Sequence, residues 1–314
     1  MAGGVTVSRL AEQVTAYLRM RRALGYQLLR HERLLTDFAA YLDRRGEDRI
    51  TVDAALAWAT APPRVSRRDA ARRLSVVRRF AGYVAVFDPA TEVPRTALLG
   101  DGTTRTPPYI FTADEVRALM AAARRLSPPL AAASYATLIG LLGATGLRPG
   151  EARRLDRADV NLRAATLLIR DSKFGKSRQV PVGPTTVAAL SSYARRRDRL
   201  CPHPADAAFL VSAAETRLDR RAVGAIFHAL LVDVGISVPA GVRVPRLYDL
   251  RHTFAVTTLT DWYAAGVDVD RRLPALSAYL GHVNPTNTYW YLEAVPQLMR
   301  VVADRLERSR DGAS

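Results

Sequence analysis

Residues 280–292 place a histidine and a tyrosine at a spacing that could serve one chemical site. Gly281 suits the end of one helix and the following Asn-Pro pair suits the start of the next, so His282 is predicted in a tight turn and Tyr291 on a helix. Tyr289, two positions earlier, points to nearly the opposite side of that helix, so only one of the two tyrosines can face a site shared with His282. A tyrosine hydroxyl can act as a nucleophile, but a tyrosine beside a histidine is more often a packed aromatic.

Lysine is almost absent from this chain, because Lys173 and Lys176 are the only two lysines among 46 Lys and Arg residues. Arginine cannot release its proton at any useful pH, whereas lysine can be tuned to do so. Both lysines lie between two short β-branched stretches, 166–170 and 179–182, which predict a β-hairpin with Lys173 in or near its turn. This placement favours a cation that gives up a proton, although two neighbouring lysines also occur by chance.

Two arginines are predicted near the starts of helices. Arg148 follows the end of an apolar helix and precedes Pro149, which suits the first turn of another helix, with Glu151 one turn along. Arg251 lies within residues 246–254, where a long helix begins. Each of these residues, taken alone, is more often a structural ion-pair partner or a solvated charge.

The charge of the chain points to a polyanionic partner. The 314 residues carry a formal net charge of +16, which is most simply explained by binding to nucleic acid. Cys201 is the single cysteine, which excludes an intrachain disulfide and favours a reducing compartment. The first eight residues lack the pattern of a signal peptide. We therefore expect a cytoplasmic protein that binds nucleic acid.

An uncharged stretch at 126–147 could be mistaken for a membrane span. Its prolines, glycines and polar residues leave an apolar run that is short for a bilayer core of about 30 Å. A buried helix of a large domain is the better interpretation. No membrane partner is expected.

Apolar residues at helical spacing predict four helices in residues 1–88, at 8–24, 31–44, 51–58 and 67–86. The polar face of the fourth helix is rich in arginine, and no acid follows Asp69, so pairing along the helix cannot balance its charge. We expect this face to contact DNA phosphates. Its members are Arg67, Arg68, Arg72, Arg73, Arg78 and Arg79.

A Pro-, Gly- and Thr-rich linker at 89–108 separates this domain from a second one at 109–314. The second domain opens with a capping box at 112–115. Further helices are predicted at 185–199, 219–234 and 296–308, with a short strand at 209–211. The fold class is therefore mainly α with a small antiparallel β-sheet. The sequence has no metal-ligand cluster, Walker loop or dinucleotide fingerprint, so neither a metal nor a cofactor is expected.

Four spaced signals in the second domain resemble the catalytic domain of tyrosine recombinases, the phage integrase family. They are Ala-Thr-Gly-Leu-Arg-Pro-Gly-Glu at 144–151, the lysine hairpin, Leu-Tyr-Asp-Leu-Arg-His-Thr-Phe-Ala at 247–255, and Leu-Gly-His followed nine residues later by tyrosine. Each signal alone is weak, but all four in this order are highly specific. The resemblance runs from Thr112 to the last helix and implies the mixed fold of DNA breaking-rejoining enzymes. The N-terminal helices loosely resemble the four-helix core-binding domain of that family.

The resemblance implies a set of catalytic residues: Arg148, Lys173, Tyr248, Arg251, His282 and Tyr291, with Glu151 in support. Tyr248 is a departure, because the family commonly has histidine there, and it leaves the identity of the general base open. Lys176 and Arg178 complete the hairpin pattern and are expected to contact DNA.

The implied chemistry agrees with these residue types. Two arginines can bind the nonbridging oxygens of a phosphodiester and stabilise its pentavalent state. Tyr291 would attack phosphorus to form a covalent 3′-phosphotyrosine link. Lys173 would protonate the leaving 5′-oxygen. Because the bond energy stays in the protein–DNA link, no nucleotide cofactor and no metal are implied.

The resemblance implies a site-specific DNA recombinase that acts as an integrase or a transposase. Its partners would be double-stranded DNA and further copies of the chain, with a dimer at each site and a tetrameric synapse. A type IB topoisomerase shares the constellation but would relax supercoils as a monomer, without a specific site. A DNA-binding protein with a decayed site is a third alternative, and the intact catalytic set argues against it.

Overall fold

The computed structural model describes residues 8–100, 107–170, 177–238 and 242–281, and the chain divides into two compact units, 1–105 and 106–314. Each unit has a hydrophobic core of its own. Within the described residues no helix is long and apolar enough to cross a membrane. The stretch at 126–147 instead supplies a buried helix, as predicted.

The first unit contains four helices: α1 (Arg9–Ala23), α2 (Leu29–Arg44), α3 (Val52–Thr60) and α4 (Arg67–Val84). The side chains of Ser8, Thr51 and Ser66 accept hydrogen bonds from first-turn amides and cap α1, α3 and α4, which is the usual role of these residue types. In the core, the rings of Phe38 and Trp58 meet edge to face with centroids 5.2 Å apart. The four predicted helices are therefore confirmed, with ends shifted by up to two residues.

The second unit contains seven α-helices and three short strands within its described part. In chain order these are α5 (Ala113–Arg124), α6 (Pro129–Thr145), α7 (Pro149–Arg154), β1 (Val160–Asn161), β2 (Thr166–Ile169), β3 (Arg178–Pro181), α8 (Pro184–Leu200), α9 (Arg220–Asp233), α10 (Asp249–Ala264) and α11 (Val269–Leu280). The predicted capping box is present: Thr112 accepts from the amide of Glu115, whose carboxylate accepts from the amide of Thr112.

Helix α6 forms the centre of the second unit and is buried around most of its circumference, as expected for a helix with no polar face. It ends at Gly146, whose φ of 61° is left-handed. A Cβ atom there would lie 2.5 Å from the ring of Phe254 on α10. Glycine is therefore required twice, for the backbone turn and for the close packing of α10. This junction fixes the point from which the chain enters α7.

The three strands form an antiparallel sheet in the order β1-β2-β3, with Ile169 opposite Arg178 at the end of the hairpin. The predicted hairpin is confirmed, while its tip at 171–176, with Lys173 and Lys176, lies outside the described residues. The predicted strand at 209–211 is wrong, because the described residues show only an isolated bridge there, between Val211 and Arg217. Its three residues are all fully buried, so the apolar run reflects burial and not a strand.

Two elements were not fully predicted. Strand β1 has only two residues, too few to show alternation. Helix α11 was predicted only by its end at Gly281, which is left-handed as its sequence context indicates. Pro274 masks the helical pattern before it, although Asp268 caps the start of the helix. The predicted helices that carry Tyr291 and residues 296–308 lie outside the described residues.

Candidate active site

Arg251 is the most deeply buried of the predicted catalytic residues that the structure describes. Its first-turn position in α10 leaves it fully buried. Its Nη1 donates to the carbonyl of Gly146 at 2.8 Å and its Nη2 to the carbonyl of Leu280 at 2.7 Å. These carbonyls belong to the ends of α6 and α11, where helix dipoles favour a positive charge. Arg251 therefore ties the two helix ends together around one guanidinium.

Arg148 lies at the start of α7, where the extended backbone and Pro149 set the helix entry. Its Nη1 donates to Oε1 of Glu151 at 2.6 Å, and its backbone amide donates to Oε2 at 3.0 Å. Its Nη2 donates to the carbonyl of Gly281 at 2.9 Å. Arg148 and Arg251 thus converge on successive carbonyls of the turn directly before His282. The structure brings the two predicted catalytic arginines into one site.

Glu151 accepts hydrogen bonds from Arg148 and also binds a second arginine. Arg178 donates from both of its terminal nitrogens to the two carboxylate oxygens, at 3.1 and 3.0 Å. Burial alone would raise the pKa of Glu151, but the hydrogen bonds and charge of Arg178, with those of Arg148, outweigh it and lower the pKa to about 2. Glu151 is therefore charged at any working pH and holds two guanidiniums at once.

Arg178, which the sequence pattern suggested as a DNA contact, is largely buried. Only 15% of its side chain is exposed. Besides Glu151, it donates from Nε to the carbonyl of Tyr279 at 3.0 Å and from Nη2 to that of Leu280 at 3.4 Å. The sequence pattern located this residue in the hairpin but gave no sign of its buried partners, which come from elements far away in the chain.

Tyr248 lies at the N-terminal boundary of α10 and is half-buried. Its ring meets that of His252 edge to face, with centroids 5.1 Å apart. Burial lowers the pKa of His252 to about 4; Asp249 opposes this, and the charges of Arg251, Arg243 and Arg246 add to it. His252 was missed in the sequence reasoning, although its place directly after Arg251 was a signal. It is a neutral imidazole at neutral pH, in contact with the residue that replaces the expected histidine.

A cleft of about 810 Å³ opens beside Arg148 and Tyr248. Its walls come from α7, α9 and the segment before α10, and they include Arg153, Arg154, Arg220, Arg243 and Arg246. Burial and the charge of Arg154 lower the pKa of Arg153, with Arg217 and Arg220 acting in the same direction. This crowding of positive charge makes the cleft suitable for a polyanion. None of these five arginines was selected from the sequence.

The arginine face of α4 is only partly exposed. Arg68, Arg72 and Arg79 are exposed. Arg73 instead lies 3.8 Å from the ring centroid of Trp58 and donates to its carbonyl, with 15% of its side chain exposed. Arg67 is also exposed, but its guanidinium donates to the carbonyl of Leu99, and Arg78 is half-buried. The number of arginines in the sequence overestimates how much of this surface is free to bind phosphate, because the long side chains also pack against the domain itself.

Four predicted site residues lie outside the described part of the chain: Lys173, Lys176, His282 and Tyr291. The described residues bring together Arg148, Glu151, Arg178 and Arg251, with Tyr248 on the wall of the adjacent cleft. Such a cluster supplies fixed positive charge of the kind that can bind a phosphate in two places.

Known proteins of similar sequence are integrases and recombinases. An integrase/recombinase named y4rB, from Sinorhizobium fredii, is 42% identical over 308 residues, covering 96% of this chain and 98% of that protein. The tyrosine recombinase XerD of Mycobacterium tuberculosis is 34% identical over 252 residues, covering 78% of this chain and 76% of XerD.

Solved structures share the fold. The integrase of transposon Tn1549, in complex with circular intermediate DNA, superposes with a TM-score of 0.67 at 18% identity, covering 94% of this chain and 98% of that one. The recombinase XerH, bound to its palindromic difH substrate, gives a TM-score of 0.65 at 15% identity, covering 97% of this chain and 86% of that one.

The phage integrase family matches residues 110–297, a span that includes Arg148, Glu151, Arg178 and Arg251. Since this match covers more than half of the chain, and the Sinorhizobium relative is similar over nearly its whole length, the chain belongs to the phage integrase family of tyrosine recombinases.

Proposed function

We propose that this protein is a site-specific DNA recombinase that cuts and rejoins strands through a covalent 3′-phosphotyrosine intermediate, in integration or transposition. The observation that carries the proposal is the convergence of Arg148 and Arg251 on the successive carbonyls of Gly281 and Leu280. Two guanidiniums held this way are aimed before the substrate arrives, which is the arrangement that stabilises a developing phosphorane charge.

The remaining roles in the proposed reaction belong to residues outside the described part. Tyr291 gives its phenolic proton to a general base and attacks phosphorus, and the 3′-phosphate becomes its ester while the 5′-oxygen leaves with a proton from Lys173. His282 is the next residue in the sequence after Leu280 and Gly281, whose carbonyls accept from the two arginines. Religation reverses these steps with a 5′-hydroxyl of the partner strand, and no metal or nucleotide enters the balance.

DNA is the proposed partner of both units. In the second unit, no carboxylate in the described residues forms an ion pair with Arg154, Arg220 or Arg246, which line the cleft beside Arg148. In the first unit, burial and the charges of Arg79, Arg21 and Arg30 lower the pKa of His31, so α1, α2 and α4 bring positive charge to one region. Exposed guanidiniums of this kind bind phosphates by releasing counterions.

Recombination exchanges strands between two duplexes, so we propose that several copies act together, with a dimer on each site and a tetramer in the synapse. The sequence at 296–308 has an apolar stripe and follows the nucleophile. By likeness to the family, it would pack on a neighbouring copy and control access to Tyr291. Deleting it should reduce assembly on DNA, as read by gel mobility, while the isolated binding of DNA by one copy persists. Normal assembly and recombination by the truncated protein would contradict this role.

A suicide DNA substrate, which after cleavage loses the short fragment that carries the new 5′-hydroxyl, tests the proposal directly. The unmodified protein should accumulate a covalent adduct, in the presence of a chelator and without ATP. Tyr291→Phe should form none, because it removes one oxygen and almost no volume. Tyr289→Phe is the matched control and should form adduct normally. Mapping of the DNA to Tyr289, or no adduct with any DNA, would overturn the proposal.

A type IB topoisomerase activity remains the alternative, because the same residues could relax supercoils. The two are distinguished by the product. Exchange between two duplexes that share one sequence, with a cooperative dependence on protein concentration, supports recombination. Relaxation of any supercoiled plasmid by single copies, without exchange, supports the alternative.

A further inference from the structure

The hairpin arginine Arg178 has a set of contacts that the proposed chemistry does not use. Its guanidinium holds both oxygens of Glu151 and donates to the carbonyls of Tyr279 and Leu280. The three groups come from α7 and from the last turn of α11, while Arg178 itself opens β3. One planar fork therefore joins three elements that are distant in sequence.

The absence of a side chain at Gly281 leaves the space that the guanidinium of Arg178 occupies. A Cβ atom at Gly281 would lie 2.8 Å from both Cζ and Nη1 of Arg178 and 3.1 Å from its Nε. The two 2.8 Å distances are shorter than real Cβ contacts, and the hydrogen bonds of Arg178 oppose its moving aside. Gly281 also has a φ of 68°, so its left-handed turn and its missing side chain serve two separate purposes.

The same turn is held from its other side by Arg148, which donates to the carbonyl of Gly281. Glu151 lies between Arg148 and Arg178 and binds both, with 2% of its side chain exposed. Any shift of Arg178 would therefore be passed to Arg148 through Glu151, and to the turn through Leu280 and Tyr279. The lysine hairpin, the first arginine and the turn before His282 are parts of one network.

We propose that Arg178 is a positioning residue of the recombinase and does not bind DNA phosphates. It holds Arg148 in place through Glu151, and it stabilises the turn at Gly281. This inference rests on the proposed function, because the group being positioned is the phosphate-binding Arg148. A DNA contact and a positioning residue differ in what they change. The contact alters affinity and its salt dependence, whereas the positioning residue alters the cleavage step on DNA that is already bound.

The test measures both quantities for Arg178→Gln on the suicide substrate. The dissociation constant and its salt slope should match those of the unmodified protein. The single-turnover cleavage rate at saturating protein should fall by about 10²-fold, the usual cost of misplacing a reacting group by about 1 Å. Arg170→Gln is the matched control, since Arg170 lies at the end of the other strand of the hairpin and pairs with the buried carboxylate of Asp159 at 2.6 Å. Its cleavage rate should stay close to that of the unmodified protein.

Arg178→Lys guards against a folding defect, because it keeps the charge beside Glu151 and most of the side-chain volume. It should melt close to the unmodified protein and still cleave slowly, since an ammonium cannot hold a carboxylate and two carbonyls in one plane. Weaker DNA binding with a lower salt slope, and normal cleavage at saturation, would overturn the inference for either variant. An unmodified protein that forms no adduct would instead overturn the proposed function itself.

The close contact between Arg178 and Gly281 can be tested by a second, independent measurement. Asparagine tolerates a left-handed backbone, so Gly281→Asn keeps the helix cap while adding the Cβ atom that meets Arg178. In a double-mutant cycle, Gly281→Asn should slow cleavage more in the unmodified protein than in Arg178→Ala, where the space is open. A coupling of about tenfold or more is expected for side chains in contact. Additive effects would show that Gly281 and Arg178 do not act through each other.

Discussion

The exposed arginines of α4 and the buried arginines of the candidate active site are the same residue type held in opposite ways. Arg72 on α4 has 53% of its side chain exposed and pairs with Asp69, one turn away. Arg251 is fully buried and donates to two helix-end carbonyls. The first can meet any phosphate within reach at little cost. The second has its geometry fixed before DNA binds, which suits one phosphate in one state.

This difference shows how a chain with 46 basic side chains can separate binding from chemistry. Exposed guanidiniums contribute affinity that is largely independent of sequence and falls with salt. Buried guanidiniums contribute little to encounter but much to the stabilisation of a developing charge, because no reorganisation is needed. Four predictions test the separation, from the largest expected effect to the smallest.

The largest effect is expected at Lys173, the cation able to lose its proton. Lys173→Ala should slow cleavage by about 10²–10⁴-fold, the usual contribution of a positioned proton donor. Lys173→Arg should also be poor, because a guanidinium holds its proton too tightly. A DNA substrate with sulfur in place of the leaving 5′-oxygen needs no proton, so it should rescue Lys173→Ala but not Arg148→Ala. Equal defects on both substrates would mean that Lys173 does not act as an acid.

The next effect concerns Arg251. Arg251→Gln should slow cleavage by about 10²–10³-fold. It should also lower the free energy of unfolding by about 1–3 kcal/mol, because the carbonyls of Gly146 and Leu280 lose a charged donor in a buried place. Urea unfolding and single-turnover cleavage measure the two losses. The control is Arg72→Gln, which should change the unfolding free energy by no more than about 0.5 kcal/mol. Similar losses in both variants would remove the distinction between buried and exposed arginines.

A moderate effect is expected on DNA binding by α4. Replacing Arg68, Arg72 and Arg79 with Ala should weaken binding similarly for all sequences and flatten the salt slope by ~0.9 for each phosphate that the variant no longer neutralises. Titrations at several salt concentrations measure this slope. Arg73→Ala is the control, because Arg73 packs on Trp58. It should lower the melting temperature and leave the slope unchanged, and a reversed pattern would show that Arg73 is the phosphate-binding residue.

The smallest effect is expected at Tyr248. A phenol hydroxyl donates hydrogen bonds well but is a poor proton acceptor, so we expect Tyr248 to position the phosphate by hydrogen bonding. Tyr248→His should therefore retain cleavage and recombination, and the ring contact with His252 leaves room for a smaller ring. Cleavage rates between pH 6 and 8 measure the outcome. A large loss in a folded Tyr248→His protein would show that the phenol itself is needed.

Local rules were sufficient for most of the fold. Caps such as Ser8, Thr51 and Thr112 carry their own hydrogen bonds within one turn, so the helix starts could be predicted from the sequence. The capping glycines at 146 and 281 adopt the left-handed backbone that their context favours. The run at 209–211 was mistaken for a strand because burial in the core and pairing in a sheet produce the same apolar letters. The extent of helix α11 was missed because Pro274 interrupts its helical sequence pattern, although packing against α10 stabilises the helix.

The sequence by itself also determined the charge of the partner, the family motifs and the candidate catalytic set, because these depend on residue types and spacing. Only the tertiary structure decided which cations are fixed and which are free. Arg178 and Arg73 look like DNA contacts in the sequence, yet their partners are Glu151 and Trp58. The physical reason is that a guanidinium on a long, flexible stem binds the acceptor that the fold brings near. The sequence shows which residues carry a positive charge, and the packing of distant elements determines which acceptor each of them binds.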